Sequence, residues 1–214
     1  MKTAIVIGST GMVGTELIKQ LIESEDYSKI ISLVRRASGE KHPKLLEQIV
    51  DFDKPETWKE LVKGDVLFSV MGTTIKTAKT KENQYKVDYT YQYETASIAS
   101  KNAISEYVLV SSAGAKASSP YFYPKIKGKL EDDVKILPFK VISILQPGQL
   151  DGNRIEKRST EKMALKIMYG LNKMGLLKKF RPIQASEVAK AMMNVAEKTI
   201  SKTYKLDELF EIIS

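Results

Sequence analysis

Short apolar runs alternate with amphipathic stretches along most of this chain. The runs are rich in β-branched and aliphatic residues, which is typical of strands buried on both faces of a parallel sheet. The segments that predict strands are 3–7, 30–34, 45–50, 66–70, 107–110, 139–145 and 203–206. Apolar residues recur three and four positions apart between most of these runs, and this period predicts helices.

The predicted helices begin with one that starts at Met12 and continues through Leu17 and Leu21. The others cover 55–62, 82–100, a lysine-rich segment ending at 137, 161–174, 187–198 and 209–213. Ser186 is expected to cap the helix over 187–198, and residues 76–80 are expected to form a polar loop. Strands that alternate with helices predict an α/β fold with a doubly wound parallel sheet.

The domain organisation follows from length and composition. A chain of 214 residues with 43% hydrophobic content can bury a full core, and no shift in composition divides it. We therefore predict a single domain over 1–214, in which 149–184 forms a segment or lid on the substrate side.

The turn after the first strand carries three glycines at a spacing of three. Glycine allows a tight bend and a close approach to a pyrophosphate, and the free N–H groups of the following helix face the anion. The flanking strand, helix and second strand supply the βαβ context that such a motif needs. Dinucleotide binding is therefore predicted for Gly8, Ser9, Thr10, Gly11, Met12, Val13 and Gly14.

The end of the second predicted strand bears on the choice of cofactor. About twenty residues after the glycines, NAD-binding proteins carry an acid for the ribose 2′-hydroxyl. This chain has Arg35 and Arg36 there instead. A guanidinium group suits a 2′-phosphate, so NADP(H) is the predicted cofactor, and two exposed loop arginines are the alternative.

Further cofactor contacts are expected where other strands end, because open α/β sheets bind ligands at the carboxyl ends of their strands. The carboxylate of Asp51 is expected to reach the adenine. The complete set of these candidates is Asp51, Phe52, Met71, Gly72, Thr73, Thr74 and Pro147.

Charge and composition restrict the other classes of function. The net charge is +8, but lysines are spread over most predicted helices without an aromatic-interleaved patch, so no nucleic-acid partner is expected. The chain has no cysteine and one histidine, which predicts no thiolate metal site and metal-free chemistry. No apolar run resembles a signal peptide or a membrane span, so we expect a cytoplasmic protein without a membrane partner. The basic amphipathic stretch 161–179 leaves binding to anionic lipid as an alternative.

These motifs together resemble the atypical short-chain dehydrogenase/reductases, nearest to the branch that contains the Tat-interacting-protein oxidoreductases. The resemblance covers about residues 3–196 and implies a Rossmann fold, NADPH and a Ser/Tyr/Lys catalytic set. It rests on the glycine turn, Gly72-Thr73-Thr74, Val87-Asp88, Ser111-Ser112-x-Gly114-Ala115, Tyr123-x-x-x-Lys127-Gly128, Pro147-Gly148 and Arg154-x-Glu156-x-Arg158. Gln146 stands where the family commonly has arginine, so the resemblance does not transfer a substrate identity.

Three Tyr-x-x-x-Lys pairs occur in the chain: Tyr121/Lys125, Tyr123/Lys127 and Tyr169/Lys173. Only the first two follow a strand-end serine by about ten residues, and the family's Lys-Gly step favours the second. Tyr123 is then expected to give a proton to a carbonyl oxygen that Ser112 hydrogen-bonds, while Lys127 favours the phenolate and holds the cofactor ribose. Candidate substrate contacts are Ala113, Gly114, Arg154 and Arg158.

The predicted function is an NADPH-dependent oxidoreductase that reduces a small carbonyl compound or oxidises its alcohol, acting as a monomer or homodimer. Two alternatives stay open. One is a regulatory or redox-sensing protein that binds NADPH without turnover. The other is a nucleotide-sugar epimerase or dehydratase, against which the short segment after residue 148 argues.

Overall fold

A computed structural model describes residues 1–151 and 181–213. Its strands are β1 Lys2–Ile7, β2 Tyr27–Val34, β3 Leu45–Ile49, β4 Val66–Ser69, β5 Glu106–Val110, β6 Val141–Gln146, β7 Leu150–Asp151, β8 Ile183–Gln184 and β9 Lys202–Lys205. Its α-helices are α1 Met12–Glu23, α2 Ile75–Ala78, α3 Lys81–Tyr85, α4 Tyr91–Lys101, α5 Phe122–Lys135, α6 Ala185–Val195 and α7 Glu208–Ile213. The predicted helix 161–174 and most of the predicted lid 149–184 lie outside the described residues.

Seven of the nine described strands build a parallel sheet in the order β3-β2-β1-β4-β5-β6-β9, and β7 and β8 form a separate pair. The chain moves outward from β1 to β3, then returns to the other side of β1 with β4 and continues to β9. The connections after β1 and β4 therefore leave in opposite directions, which creates the switch point where such sheets bind ligands. This order confirms the doubly wound, Rossmann-type α/β fold.

The two faces of the sheet form two cores, because successive side chains of a strand point to opposite sides. Ala4 and Val6 of β1 pack in one core with apolar residues of α1 and α6. Ile5 and Ile7 pack in the other with apolar residues of α4 and α5. Both cores fix the carboxyl ends of β1, β4, β5 and β6 at one edge of the sheet.

The region predicted as one long helix over 82–100 is interrupted. Between α3 and α4, residues Lys86–Thr90 form a π-helix. A π-helical turn changes the direction in which its side chains point relative to a regular α-helix, and such turns often occur at functional sites. Asp88 in this turn is 0% exposed.

Smaller differences from the predicted elements have local causes. Two 3-10 helices, Pro55–Thr57 and Lys59–Leu61, replace the helix expected over 55–62. The segment expected to be a loop contains α2, whose first turn is capped by the Thr74 hydroxyl. Ser186 lies inside α6, and the Glu187 carboxylate accepts the Gln184 amide at 2.8 Å, so the predicted cap is wrong. The pair β7–β8 was not predicted, since two-residue strands carry no hydrophobic period.

Candidate cofactor and active site

The glycine turn lies directly against the end of β4. Gly8 has a φ of +86°, and a Cβ on it would lie 2.6 Å from the Met71 nitrogen. A Cβ on Gly14 would overlap the carbonyl oxygen of Gly8. Two of the three glycines are thus required by backbone contacts, which bring the turn and the predicted segment 71–74 together.

The start of α1 is open to an anion. Gly11 occupies the N-cap position without a side-chain hydrogen bond, and the first turn has no acidic residue. The unpaired N–H groups of a helix start, together with the helix dipole, favour a negative group at this position. The residues of this turn therefore fit the pyrophosphate of a dinucleotide.

A groove of about 600 Å³ extends from this turn to the end of β2. Its lining includes Ser9, Thr10, Arg35 and Arg36, so the structure joins the glycine turn to both arginines. The Ser32 hydroxyl of β2 donates to the Ser9 hydroxyl at 2.6 Å, which ties the turn to that strand. Both arginines are exposed and accessible from this groove.

Asp51 and Phe52 follow the edge strand β3, and neither is among the residues that line the groove. Asp51 is exposed and pairs with Lys54 at 3.5 Å. The Phe52 ring is buried against Trp58 and Tyr91, with centroid distances of 5.6 and 5.4 Å. Phe52 therefore contributes its side chain to the core, and its role toward the cofactor stays a prediction.

Two of the predicted catalytic residues, Lys127 and Ser112, lie near the end of β5. Lys127 is only 1% exposed, and its ammonium group donates to the Val110 carbonyl at 3.3 Å, two residues before the half-buried Ser112. Tyr123 lies four residues before Lys127 on α5, a spacing that gives both side chains the same helix face. Tyr123 is 38% exposed and Tyr121 is 74% exposed.

Gly128 explains the Lys-Gly step in physical terms. A Cβ on Gly128 would overlap the backbone of Lys116 and Ala117 in the loop after β5. The Lys116 amide also donates to the Pro124 carbonyl at 3.0 Å. Close contact between α5 and this loop holds Lys127 beside the strand end.

Two buried carboxyl groups act on Lys127. Burial lowers the pKa of Lys127, while Asp88 and Glu131 oppose that effect by raising the pKa. Glu131, one turn further along α5, is held by the Ser111 hydroxyl and by Gln146, whose Nε2 donates to both carboxylate oxygens at 2.9 Å. Glu131 thus connects α5 to the ends of β5 and β6.

Asp88 has fewer donors than Glu131. Its Oδ2 accepts the Thr73 amide at 3.2 Å, and its Oδ1 has no hydrogen-bond partner among the described residues. Burial raises the pKa of Asp88 from 3.8 to about 6, against the opposing effects of Lys127 and the Thr73 amide. Burial therefore favours the protonated form of Asp88.

The remaining candidates lie near the ends of β5 and β6. The Ala113 amide donates to the Pro147 carbonyl at 2.9 Å, which joins a predicted substrate contact to a predicted cofactor contact. Gly114 is exposed with a φ of +78°. Arg154 and Arg158 lie outside the described residues.

Sequence reasoning gave Asp88 and Glu131 no role in the site. A signal was present for Glu131, which lies between Leu130 and Val134 and follows Lys127 at helical spacing. Asp88 gave a weaker signal, since only its position in Val87-Asp88 was part of the family resemblance. Its burial depends on the π-helix, which no periodicity in the sequence indicates.

Comparison with known proteins identifies the family. Residues 8–135, which include the glycine turn, Asp88 and Lys127, match the model of the NAD(P)H-binding family. The chain belongs to this family.

Relatives with similar sequences include mitochondrial FMP52 proteins of yeasts. The Candida albicans protein is 35% identical over 212 residues, covering 95% of this chain and 91% of the relative. The Debaryomyces hansenii protein is 36% identical over 208 residues, covering 94% and 90%. These names overturn the cytoplasmic location expected above. Apolar runs reveal a span or a secretory leader, but an address read by a receptor need not contain one.

Similar solved structures include enzymes that bind NAD or nucleotide sugars. The Bordetella bronchiseptica enzyme WbmH in complex with NAD⁺ has a TM-score of 0.71 at 14% identity, covering 96% of this chain and 76% of its own. The UDP-glucose 4-epimerase of Thermotoga maritima, with UDP-glucose, has a TM-score of 0.69 at 13% identity. The match covers 99% of this chain and 81% of the epimerase. This likeness establishes the Rossmann fold. The Tat-interacting-protein branch stays a prediction.

No helix among the described residues combines the length and apolar composition that crossing a membrane requires. The lipid-binding alternative concerned residues 161–179, which lie outside the described residues. It therefore stays a prediction, as does the single-domain organisation.

Proposed function

We propose that the protein is an NADP(H)-dependent oxidoreductase of the short-chain dehydrogenase type. Its substrate is a small carbonyl compound or the corresponding alcohol. The observation that carries this proposal is the buried Lys127 at the end of β5, four residues after Tyr123 and close to Ser112. Lys127 lies at the same sheet edge as the glycine turn, which supports a proton donor next to the cofactor.

The cofactor, when bound, supplies or accepts the hydride. Tyr123 donates its phenolic proton to the carbonyl oxygen, and the Ser112 hydroxyl hydrogen-bonds the same oxygen. Lowering a phenol pKa from about 10 to about 7 requires roughly 4 kcal/mol of preferential stabilisation of the phenolate. The Lys127 ammonium contributes to this, because a nearby positive charge favours the phenolate.

Cofactor preference gives the first test. We expect NADPH to bind at least about tenfold more tightly than NADH, a difference of about 1.4 kcal/mol that one charge-assisted phosphate contact can supply. Arg35→Ala should remove most of this preference, as measured by calorimetric titration. Lys29→Ala is the control, because it removes a positive charge from the opposite end of β2. Equal affinities in the wild type would contradict the NADP(H) assignment.

The catalytic assignment is tested with a screen for NADPH consumption over carbonyl compounds. Once a substrate is found, Tyr123→Phe should reduce turnover at least about a hundredfold, the low end for general acid catalysis, with little change in NADPH affinity. Lys127→Ala should lower both turnover and NADPH affinity. Tyr121→Phe is the matched control, since Tyr121 has the same spacing to Lys125. A loss in Tyr121→Phe with normal turnover in Tyr123→Phe would reassign the proton donor.

Two other functions are distinguished by experiment. Tight NADPH binding without turnover of any carbonyl compound would favour a regulatory or sensing protein. The second is a nucleotide-sugar epimerase, an activity that the fold likeness to the Thermotoga maritima enzyme brings into consideration. Incubation with UDP-glucose and NAD⁺, followed by chromatographic separation of the sugars, tests it.

A further inference from the structure

The two carboxyl groups that act on Lys127 have unequal surroundings. Glu131 accepts hydrogen bonds from Ser111 and Gln146, so donors compensate its charge. Asp88 is 0% exposed and receives only the Thr73 amide among the described residues. A buried carboxylate with one donor is the group in such a cluster that takes up a proton most readily.

The unpartnered oxygen of Asp88 lies at the end of β4. A Cβ on Gly72 would be 3.5 Å from Asp88 Oδ1, so this oxygen faces the backbone of the segment 71–74. The same segment contacts Gly8 of the glycine turn through Met71. The π-helix thus brings an incompletely bonded carboxyl group to the sheet edge where the cofactor is proposed to bind.

Among the described residues, one charged group acts on Asp88. Lys127 of α5 acts on it directly. On the π-helix itself, Lys86 pairs with Asp53 at 2.8 Å, and the Tyr89 hydroxyl donates to Asp133 of α5 at 2.5 Å. On α3, the neutral Gln84 amide lies 3.5 Å from the Thr73 carbonyl. A new charge at the end of β4 would therefore act mainly on the Asp88–Lys127 pair.

We propose that Asp88 makes this site distinguish oxidised from reduced cofactor. Binding of the oxidised form, whose nicotinamide ring is cationic, breaks the Asp88 O–H bond, releases the proton to solvent and leaves a carboxylate. Binding of the reduced form, whose ring is neutral, leaves the proton on Asp88. This inference rests on the proposed function, because it requires the ring to bind beside Lys127 and Gly72.

The expected pH dependence follows from the raised pKa of Asp88, which is about 6 in the free protein. A cation at this site favours the carboxylate, so the complex with oxidised cofactor has a lower Asp88 pKa. Below pH 6 the oxidised cofactor must displace a proton, and its affinity rises as the pH increases toward 7. The reduced cofactor displaces no proton from Asp88, so its affinity does not depend on the ionisation of Asp88.

The test measures the dissociation constants of NADP⁺ and NADPH by calorimetry between pH 5 and pH 7.5. Both cofactor forms carry the same phosphates. The effect of phosphate titration therefore cancels in the ratio of the NADP⁺ dissociation constant to the NADPH dissociation constant. In the wild type this ratio should fall at least about fivefold over the range, since one proton changes an affinity by at most tenfold per pH unit. In Asp88→Asn the ratio should be constant.

Asp133→Asn is the control, because Asp133 is a carboxyl group on α5 that already has two donors, Tyr89 and Lys129. It should keep the wild-type dependence. An equal fall of the ratio in wild type and Asp88→Asn would overturn the inference, as would a constant ratio in the wild type. Failure of both cofactor forms to bind would instead overturn the proposed function and this inference with it.

A second measurement keeps the inference testable if Asp88→Asn does not fold. Carbon-13 NMR of the carboxyl groups in the wild type should find one aspartate that titrates near pH 6 without cofactor. Its titration should move to lower pH with NADP⁺ and not with NADPH. An unchanged titration in the presence of saturating NADP⁺ would contradict the proposal.

Discussion

Burial shifts the pKa values of Asp88 and Lys127 in opposite directions, raising the first and lowering the second. Asp88 has a raised pKa of about 6 since burial outweighs one amide donor and the Lys127 charge. A folded-state pKa above that of the unfolded chain means that the folded protein binds the extra proton. Its contribution to stability is present at low pH and is lost as the pH rises through about 6.

Replacement of Asp88 by asparagine removes this dependence. Relative to Asp88→Asn, the wild-type free energy of unfolding should fall by about 2 to 3 kcal/mol between pH 4 and pH 7.5, because each pKa unit corresponds to about 1.4 kcal/mol. Urea unfolding at both pH values checks this. Stability curves that run parallel for the two proteins would mean that the pKa of Asp88 is the same in the folded and unfolded states.

At the scale of elements, α5 depends on Gly128. Alanine in place of a helical glycine ordinarily gains about 1 kcal/mol of helix propensity. Here the new Cβ would overlap the Lys116–Ala117 backbone, and such overpacking typically costs 1–3 kcal/mol or more. We expect Gly128→Ala to lower the free energy of unfolding and to weaken NADPH binding, because α5 must move away from β5 and take Lys127 with it.

Gly39→Ala is the control for this prediction. Gly39 has a φ of +86°, but a Cβ there would meet no described atom within 4 Å. Its substitution should cost only the conformational term of about 1–2 kcal/mol. Urea unfolding of both variants separates overlap from conformational strain, and a Gly128→Ala protein more stable than wild type would contradict the packing argument.

At the scale of the whole molecule, the candidate site joins both halves of the sheet. The glycine turn and Arg35 come from β1 and β2, and the segments 71–74 and 111–114 follow β4 and β5. A ligand that spans them stabilises only the folded chain. NADPH at a hundred times its dissociation constant should add about 2.7 kcal/mol to the free energy of unfolding.

Scanning calorimetry measures this stabilisation as a rise in Tm of about 5–10 °C for a domain of this size. Arg35→Ala at the same NADPH concentration should give a smaller rise, reduced by about 1.4 kcal/mol for a tenfold loss of affinity. A Tm that does not change with NADPH in the wild type would mean that the groove does not bind this cofactor.

Local patterns in the sequence determined the elements and their order. The apolar period of two or of three to four residues is a property of neighbouring positions, so the strands β1 to β6 and helices α1, α5 and α6 could be predicted with small errors at their ends. The glycine turn followed from the same local reasoning, because glycine spacing, strand and helix are contiguous in the chain. Arg35 and Arg36 were predicted as cofactor contacts from their distance to this turn, and in the structure both line a groove with it; their contact with the cofactor stays a prediction.

The charge state of the site was decided only by the tertiary structure. Asp88, Thr73, Lys127 and Gln146 lie far apart in the chain and meet because the sheet order brings the ends of β4, β5 and β6 together. Burial and the number of donors set a pKa, and both depend on neighbours that no sequence period records. The π-helix that buries Asp88 has no signature of its own in the pattern of apolar residues. The sequence by itself therefore predicted a dinucleotide site at the glycine turn, and folding decided which carboxyl group lies buried and incompletely hydrogen-bonded near Lys127.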